Sequence, residues 1–275
     1  MKNLFTLIFL WLAFSTAVYS QQPAGAVPAK PVTKPKLREM EPDRPDVSES
    51  PRTIDAGHFQ FESDLFRLET QHESESRNRE YLINQANLKF GITKSTAIQL
   101  AIQSYNINKE TATDGETETS HGIGDLTLRI KQNLLGNDEG KFAIAILPYV
   151  KFPTSVADAQ SQYEGGLIIP MSFDLGKEWK MGMQVEADRV QNEEGKGHHN
   201  EILQTLTVSH PLVKHLDAIL ETYYTYALKE KHLNNFLNAA VQYEIGSDVM
   251  IDGGVNYGLQ HDAKRSYFLG LSFRL

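Results

Sequence analysis

The sequence contains no cysteine, which excludes both a disulfide framework and a lipid-modified N-terminal cysteine. Beyond its first twenty residues, no apolar run approaches the ~18 residues of a transmembrane helix. An excess of positive charge is also lacking: the net charge is −8, which argues against a nucleic-acid partner. Hydropathy alone would therefore indicate a soluble secreted protein. Hydropathy does not detect membrane β-strands, however, because they alternate and never form a long apolar run.

The first twenty residues read "MKNLFTLIFLWLAFSTAVYS", with Lys2 followed by an apolar run from Leu4 to about Val18. Val18 and Ser20 suit positions −3 and −1 of a signal-peptidase site. The pattern predicts a signal peptide over residues 1–20, cleaved after about Ser20. A retained membrane anchor is the alternative, although the run is short for a bilayer span.

Residues 21–52 differ in composition, since they hold seven of the eleven prolines and few large apolar residues. Such a segment cannot bury enough apolar surface to offset the loss of chain entropy on ordering. The composition predicts a Pro-rich, disordered periplasmic segment that acts as an extended, mobile tether or spacer. The folded unit is then predicted to cover residues 53–275.

Inside that unit, strand patterns recur and helix patterns are weak. In "GDLTLRIKQNLL", Leu126, Leu128 and Ile130 alternate with Thr127 and Arg129, which is the period-two signature of a strand. The predicted segments are long enough for tilted strands, which need ~9–11 residues to cross a bilayer. They cover residues 56–69, 80–91, 96–107, 122–135, 140–153, 164–176, 178–191, 200–210, 215–228, 235–246, 248–260 and 265–275.

The links between these segments alternate in length. Short turns such as "GNDEG" and "LGKE" separate longer polar links such as "NKETATDGETETSHG". This alternation is typical of outer-membrane barrels, which have tight periplasmic turns and longer outer loops. We predict an all-β, antiparallel transmembrane β-barrel of about twelve strands with periplasmic N- and C-termini. The alternating last segment, "YFLGLSFRL", is predicted to close the barrel against the first strand, because lipid tolerates no open sheet edge.

Several blocks together resemble one family: "ESPRTIDAGHFQFE", "GIGDLTLRIKQNLLGN", "LPYVKFPT", "GGLIIPMSFDLG" and "DGGVNYGL". They are similar to the outer-membrane transporters grouped as the phenol-degradation meta-pathway family. The resemblance covers nearly all of residues 53–275 and implies a barrel with a role in uptake or export. The last strand also looks like the signal read by the outer-membrane assembly machinery, although Leu275 stands where Phe is more usual.

The polar faces of the strands carry the residues predicted to line the lumen. Two interpretations remain open: a water-filled path whose charges set selectivity, or an interior filled by salt bridges and hydrogen bonds. The candidates are His58, Gln60, Glu62, Asp64, Gln99, Gln103, Arg129, Lys131, Gln184, Glu186, Asp188, Glu221, Gln242, Glu244, Asp252, Asn256 and Arg274.

Aromatic residues near the predicted strand ends suggest interfacial girdles that contact outer-membrane lipid. Stacking of some of them against a ligand inside the barrel is the alternative. The set comprises Phe59, Phe66, Tyr81, Tyr149, Phe152, Trp179, Tyr224, Tyr226, Tyr267 and Phe273.

We predict no cofactor, no metal site and no catalytic residue. The acidic loop "NKETATDGETETSHG" lacks EF-hand spacing, and His198 and His199 have no third ligand nearby in sequence. An outer-membrane lipid hydrolase is the enzymatic alternative, but the visible Ser/His pairs are adjacent in sequence and would point to opposite faces. A soluble β-sandwich or lipocalin-like binder would have shorter strands. The predicted function is diffusion of small solutes, of polar, aromatic or amphipathic character, across the outer membrane of a Gram-negative bacterium.

Overall fold

The structure, a computed structural model, describes residues 37–72, 76–156, 160–192 and 197–275. Strands dominate these ranges, and within them no helix is long and apolar enough to cross a membrane. The strands are β1 (Phe59–His72), β2 (Ser76–Gly91), β3 (Thr96–Ala112), β4 (Thr117–Gly122), β5 (Leu126–Leu135), β6 (Phe142–Phe152), β7 (Glu164–Gly176), β8 (Trp179–Gln191), β9 (His198–Val213), β10 (Leu216–Ala227), β11 (His232–Glu244), β12 (Val249–Gly258) and β13 (Arg265–Arg274).

The strands form one antiparallel sheet that closes on itself. Strands adjacent in sequence pair, except that β4 and β5 both pair with β3 and not with each other. Strand β13 returns to pair with β1. Because β4 and β5 together occupy one place in the ring, the barrel has twelve strands. Gln60 opposes Arg274 at the closure, and Phe59 and Leu275 exchange backbone hydrogen bonds of 3.2 and 2.8 Å. The predicted closed, antiparallel twelve-strand barrel is therefore confirmed.

The alternation in β13 shows why the sequence folds this way. Tyr267 and Leu269 expose 58% and 54% of their surface on the outer face. Ser266 and Phe268, the intervening residues of the inner face, are buried. A strand with an exposed apolar outer face and a buried inner face is what a barrel needs when lipid lies on one side of its wall and the lumen on the other.

The links divide the barrel into two ends. The turn end carries the links 92–95, 136–141, 177–178, 214–215 and 245–248, together with the start of β1 and the end of β13. The loop end carries the links that follow β1, β3, β6, β8, β10 and β12.

Strands β3 and β4 extend the wall at the loop end. The predicted loop "NKETATDGETETSHG" is instead a β-hairpin, because Asn106 to Thr111 pair with Gly122 to Thr117 around a turn at 113–116. The single strand predicted over 122–135 is accordingly interrupted at residues 123–125. Thr and branched residues on both arms favour this ribbon over an unstructured loop.

Residues 37–53, which we call the inserted segment, are not a tether outside the barrel. They belong to the same compact unit as the strands, Leu37–Leu275, and their side chains pair with those of the wall. The predicted boundary at residue 52 and the predicted disorder are therefore wrong for residues 37–52. Burial of apolar surface was the wrong criterion here, since the segment is held by charge pairs and hydrogen bonds. The predicted signal peptide and residues 21–36 lie outside the described residues.

Candidate functional site: the lumen and its inserted segment

The inserted segment runs as a loop whose two ends meet at the turn end. Near residue 37, the backbone N–H and Nε of Arg38 both donate to Asp55, at 3.0 and 2.8 Å. Further in, Ser50 N–H donates to Asp43 Oδ1 at 2.9 Å. The chain thus enters from the turn end, reaches its tip at about residues 44–48, and returns to the start of β1.

One side of the segment faces a group of three cations that we call the cationic wall: Lys89, Arg129 and Lys131. Lys131 Nζ contacts Asp43 Oδ1 at 2.6 Å and donates to the carbonyl oxygen of Ser50 at 2.7 Å. Arg129 Nη1 lies 2.6 Å from Glu49 Oε1.

Lys89 completes the cationic wall. Its Nζ binds Asp43 of the segment and Glu62 of β1. Lys89 is 2% exposed and Lys131 is 1% exposed, so both ammonium groups are removed from bulk solvent. Each is satisfied by carboxylates, as a buried charge requires.

The strand register explains this grouping. Lys89 of β2 opposes Gln99 of β3, and Gln99 opposes Arg129 of β5. Lys131 lies two residues further along β5, opposite the small side chain of Ala97. Directly opposed residues of antiparallel strands point to the same face, so the cations meet on the lumen side.

The cationic wall also sets the protonation of Asp43. Burial by itself would raise the pKa of Asp43, but the ammonium groups of Lys131 and Lys89 outweigh it and hold that pKa well below its usual value. Asp43 is therefore the anionic anchor of the segment at neutral pH.

A second group of residues on the inner face, which we call the acidic wall, comprises Asp64 of β1, Glu221 of β10 and Asp252 of β12. Arg44 of the segment reaches it with Nη1 2.5 Å from Asp64 Oδ1 and Nη2 2.6 Å from Asp252 Oδ1. The place of Arg44 depends on Gly270, because a Cβ there would lie 2.0 Å from Arg44 Nη2. The glycine provides room for the guanidinium against β13.

Glu221 holds the tip of the segment. Its carboxylate accepts hydrogen bonds from the backbone N–H groups of Val47 and Ser48 at 2.8 and 2.9 Å, and from Ser48 Oγ at 2.8 Å. Ser48 Oγ also lies 2.5 Å from Thr205 Oγ1 and 2.8 Å from Thr207 Oγ1. Charge-assisted bonds of this kind fix the backbone of the tip as well as its side chains.

Asp46 is less favourably placed at the same tip. Burial and the nearby negative charge of Glu221 raise the pKa of Asp46 well above its ordinary value. Asp46 and Asp43 therefore respond to pH in opposite directions, although they lie three residues apart.

A cavity of about 340 Å³ separates part of the segment from β7 to β12. It is lined by the turn-end portions of these strands and by the segment itself. The charged lining residues are mainly acidic: Glu39, Glu41, Asp46, Glu49, Asp174, Asp217 and Glu244, with Arg44, Arg52 and Lys180 as the cations. The segment therefore does not fill the lumen completely.

Most of the predicted lumen residues contact the segment or one another. Gln184 accepts a hydrogen bond from the Glu49 N–H at 2.8 Å, and Gln242 donates to the carbonyl of Arg44 at 3.1 Å. The structure brings Gln60, Glu62, Asp64, Arg129, Lys131, Gln184, Glu221, Gln242, Asp252 and Arg274 into this network, and buried Gln99 lies on the same inner face as the cationic wall.

The other candidates lie elsewhere. His58 precedes β1 and its Nδ1 lies 3.2 Å from the carbonyl oxygen of Ala56 in its own turn. Gln103 is exposed and accepts a hydrogen bond from the N–H of Asp125. Glu186 accepts a hydrogen bond from Gln184 and so adjoins the network, whereas Asp188 pairs with Tyr149 and Asn256 with Tyr223. Glu244, beside the cavity, lies 3.4 Å from His215 at the turn end.

Two of the predicted girdle aromatics contact other rings on the outer face, and one lies inside the barrel. Trp179 stacks on His210 and Phe273 on Phe61, both on the outer face. Tyr149 was predicted for the girdle, but its hydroxyl donates to Asp188 at 2.7 Å inside the barrel. Its register explains the error, since Tyr149 opposes Arg129 and takes the same inward face.

Of the two Ser/His pairs visible in the sequence, Ser120 opposes Asn108 while His121 lies against Tyr105, and the members of the pair Ser209/His210 are also separated. Ser209 opposes Lys180 and Ile219, whereas His210 stacks on Trp179 with ring centroids 4.5 Å apart. His198 and His199 bind different oxygens, those of Tyr163 and Asn192. In the described ranges no group of three or more potential metal ligands occurs.

The sequence reasoning missed the segment's contribution to the site: Asp43, Arg44, Ser48 and Glu49. One signal was available, because the segment carries five acidic and three basic residues among its prolines. Lys89 was also missed, although it occupies a polar position in the alternating end of β2.

The closed barrel, its apolar outer face and its polar lumen define an outer-membrane β-barrel with an inserted N-terminal segment. Residues 42–275 match the sequence profile of the family described as "Putative MetA-pathway of phenol degradation", and the chain belongs to this family. The match includes most of the inserted segment as well as every strand.

Three solved structures are similar to this chain. The chain is similar to the NanC porin, at 13% identity with a TM-score of 0.50, covering 78% of this chain and 100% of that one. It is also similar to the KdgM porin in complex with disordered oligogalacturonate (9% identity, TM-score 0.48, 78% and 98% covered). A third likeness is the translocator domain of the autotransporter NalP from Neisseria meningitidis (10%, 0.45, 79% and 87%). A search of curated proteins found no match.

Proposed function

We propose that the protein is a channel for small solutes in the outer membrane of a Gram-negative bacterium, and that the inserted segment is its gate. The observation that carries this proposal is the position of residues 37–53 inside the closed barrel, between the cationic and acidic walls. Barrel topology and family membership support transport of small solutes. In this proposal the segment shifts to widen the path.

The chemistry of the contacts favours a movable segment. Asp43, Arg44 and Glu49 are held by ion pairs, and the tip by hydrogen bonds to Glu221. When the segment withdraws, water can form hydrogen bonds with the polar groups of the barrel wall and so replace the lost contacts with the segment. Buried ion pairs are also weak evidence for net stability, since desolvation opposes their attraction.

A permanently filled barrel is the second candidate function. The observation that favours it is the dense pairing of the segment: Lys131 alone binds Asp43, Glu49 and the carbonyl of Ser50. In that case the segment would complete the barrel's core, and no solute would pass.

A disulfide lock separates the two functions. The chain has no cysteine of its own, so the Ser48→Cys/Thr205→Cys pair would be its sole source of thiols. The two hydroxyl oxygens lie 2.5 Å apart, which places the positions within reach of a disulfide. Oxidation should tie the tip of the segment to β9, and reduction should release it.

We expect single-channel steps in planar bilayers for the reduced protein and their loss, by at least tenfold in open time, after oxidation. The Ser48→Cys single variant is the matched control and should conduct equally in both redox states. Folding is checked by heat-modifiable migration on gels. A folded barrel that conducts in no state would support the filled barrel, and equal conduction in both states would show that the path avoids the segment.

A further inference from the structure

We propose that the cationic wall is a binding site for a small organic acid with an apolar body, and that Asp43 and Glu49 occupy the place of its carboxylate in this state. The inference rests on the proposed function, since it names the class of solute that the lumen recognises. The inserted segment would then act as an internal competitor that the solute displaces.

The geometry is that of a carboxylate site. Two carboxylates of the segment meet three cations of the wall: Asp43 lies on Lys89 and Lys131, and Glu49 lies on Arg129 and Lys131. Carboxylates accept from ammonium and guanidinium groups at 2.6 Å here, in the range of charge-assisted bonds.

The charge balance of the wall points to an anion. Among the strand residues, Glu62 is the carboxylate that neutralises Lys89. When Asp43 and Glu49 leave, Arg129 and Lys131 lose their ion-pair partners, and Glu186 of β8 acts on Arg129 only at longer range. Both cations then become available to an anion. The acidic wall changes in the opposite sense when Arg44 leaves Asp64 and Asp252. An anionic solute therefore finds its counter-charges on β2 and β5 and is repelled from the acidic wall.

The surface beside the cations selects for an apolar body. On β6 and β7, Ala145, Leu147 and Ile168 are at most 1% exposed. Leu147 and Ile168 oppose each other, and Tyr149, two residues along β6, opposes Arg129. The buried apolar surface therefore continues directly from the cationic wall. A carboxylate head on the cations, with an apolar ring against Leu147 and Ile168, satisfies both surfaces.

Benzoate is the probe for this site, with benzyl alcohol as a neutral probe of similar shape. Binding is measured by calorimetry on the full chain in detergent. In the Asp43→Asn/Glu49→Gln variant the segment loses its competing charges, and we expect benzoate to bind at least tenfold more tightly than to the native chain. Addition of Lys131→Gln should remove that gain. Benzyl alcohol should bind no variant with this pattern.

Two matched controls address general charge effects and folding. Glu110→Gln/Glu118→Gln removes two exposed carboxylates that oppose each other on the β3–β4 hairpin of the loop end, and should leave benzoate binding as in the native chain. If the double variant does not fold, the native chain is titrated in bilayers, where benzoate but not benzyl alcohol should raise the open time. Lys131→Gln should abolish that response.

The outcomes separate the inference from the proposed function. Benzoate binding that depends on Lys131, in a barrel that never conducts, would support the site and contradict the channel. Conduction without benzoate binding, or equal binding of benzoate and benzyl alcohol, would overturn the carboxylate site and leave the channel standing.

Discussion

Asp43 shows how single residues hold the inserted segment. It bridges Lys89 and Lys131, while its Oδ1 also accepts from the N–H of Ser50. Removing one partner of a buried ion pair leaves an uncompensated charge, which costs far more than the pair contributes relative to an apolar core. A solute carboxylate that took the place of Asp43 would keep Lys89 and Lys131 paired and would avoid that cost, as the proposed displacement requires.

The raised pKa of Asp46 predicts that docking of the inserted segment depends on pH. A raised pKa in the docked state means that docking is favoured when Asp46 is protonated. That contribution is lost as pH rises from the ordinary value of about 3.9 through the raised value. Asp43, whose pKa is lowered, loses its contribution only as pH falls below its usual range. Burial also raises the pKa of Glu49, so above about pH 4 the contributions of Asp46 and Glu49 change in the same direction.

We expect Asp46→Asn to hold the segment more firmly than the native residue as pH rises, with the difference growing by up to about tenfold per unit. The test measures maleimide labelling of Ser48→Cys with and without Asp46→Asn, since the ratio cancels the ionisation of the thiol. Glu39→Gln, at a 70% exposed position, should give a ratio independent of pH. An unchanged ratio for Asp46→Asn would show that repulsion from Glu221 does not act on docking.

At the scale of elements, the strands were predictable and the inserted segment was not. Alternation of period two identifies β5 and β13, because lipid and lumen impose opposite requirements on successive residues. The partners of Lys131 and Arg129 lie 88 and 80 residues away, and no local pattern encodes such pairs. A Pro-rich, charged composition indicates that the segment cannot fold alone. It does not indicate that ion pairs with a charged barrel wall will order the segment.

A substitution in strand β13 tests whether the outer face of the barrel contacts lipid. Leu269 is 54% exposed on the outer face and opposes Gly253 of β12. If that face contacts lipid, Leu269→Arg should lower the free energy of unfolding by about 2–4 kcal/mol, whereas a soluble surface would tolerate the arginine. The measurement is reversible urea unfolding in lipid vesicles.

Two further variants serve as controls for that result. Leu269→Ala removes the side chain without adding charge and should cost less than the arginine. Ser266→Ala, on the buried inner face of the same strand, tests whether β13 tolerates substitution generally. If arginine and alanine at position 269 cost the same, that position lies outside the hydrocarbon layer.

In the whole molecule, the end at which the inserted segment enters the barrel determines the side of the membrane from which the proposed gate would be controlled. The segment enters from the turn end, where Arg38 meets Asp55 and Arg274 donates to the carbonyl oxygen of Arg38 at 2.8 Å. The alternation of link lengths predicts that this end faces the periplasm. A gate anchored there would be controlled from inside the cell envelope, whereas solutes from outside would meet the loop end first.

The prediction concerns the orientation of the barrel in the membrane. Because the sequence contains no cysteine, single introduced cysteines can be labelled to measure it. Thr113→Cys places a thiol in the exposed β3–β4 turn of the loop end, and Ser247→Cys places one in an exposed link of the turn end. With a membrane-impermeant maleimide on intact cells, we expect labelling at position 113 and at least tenfold less at position 247. Lysed cells should label both positions and so control for reactivity. The reverse pattern would put the turn end outside, and the inserted segment would then close the barrel from the cell surface.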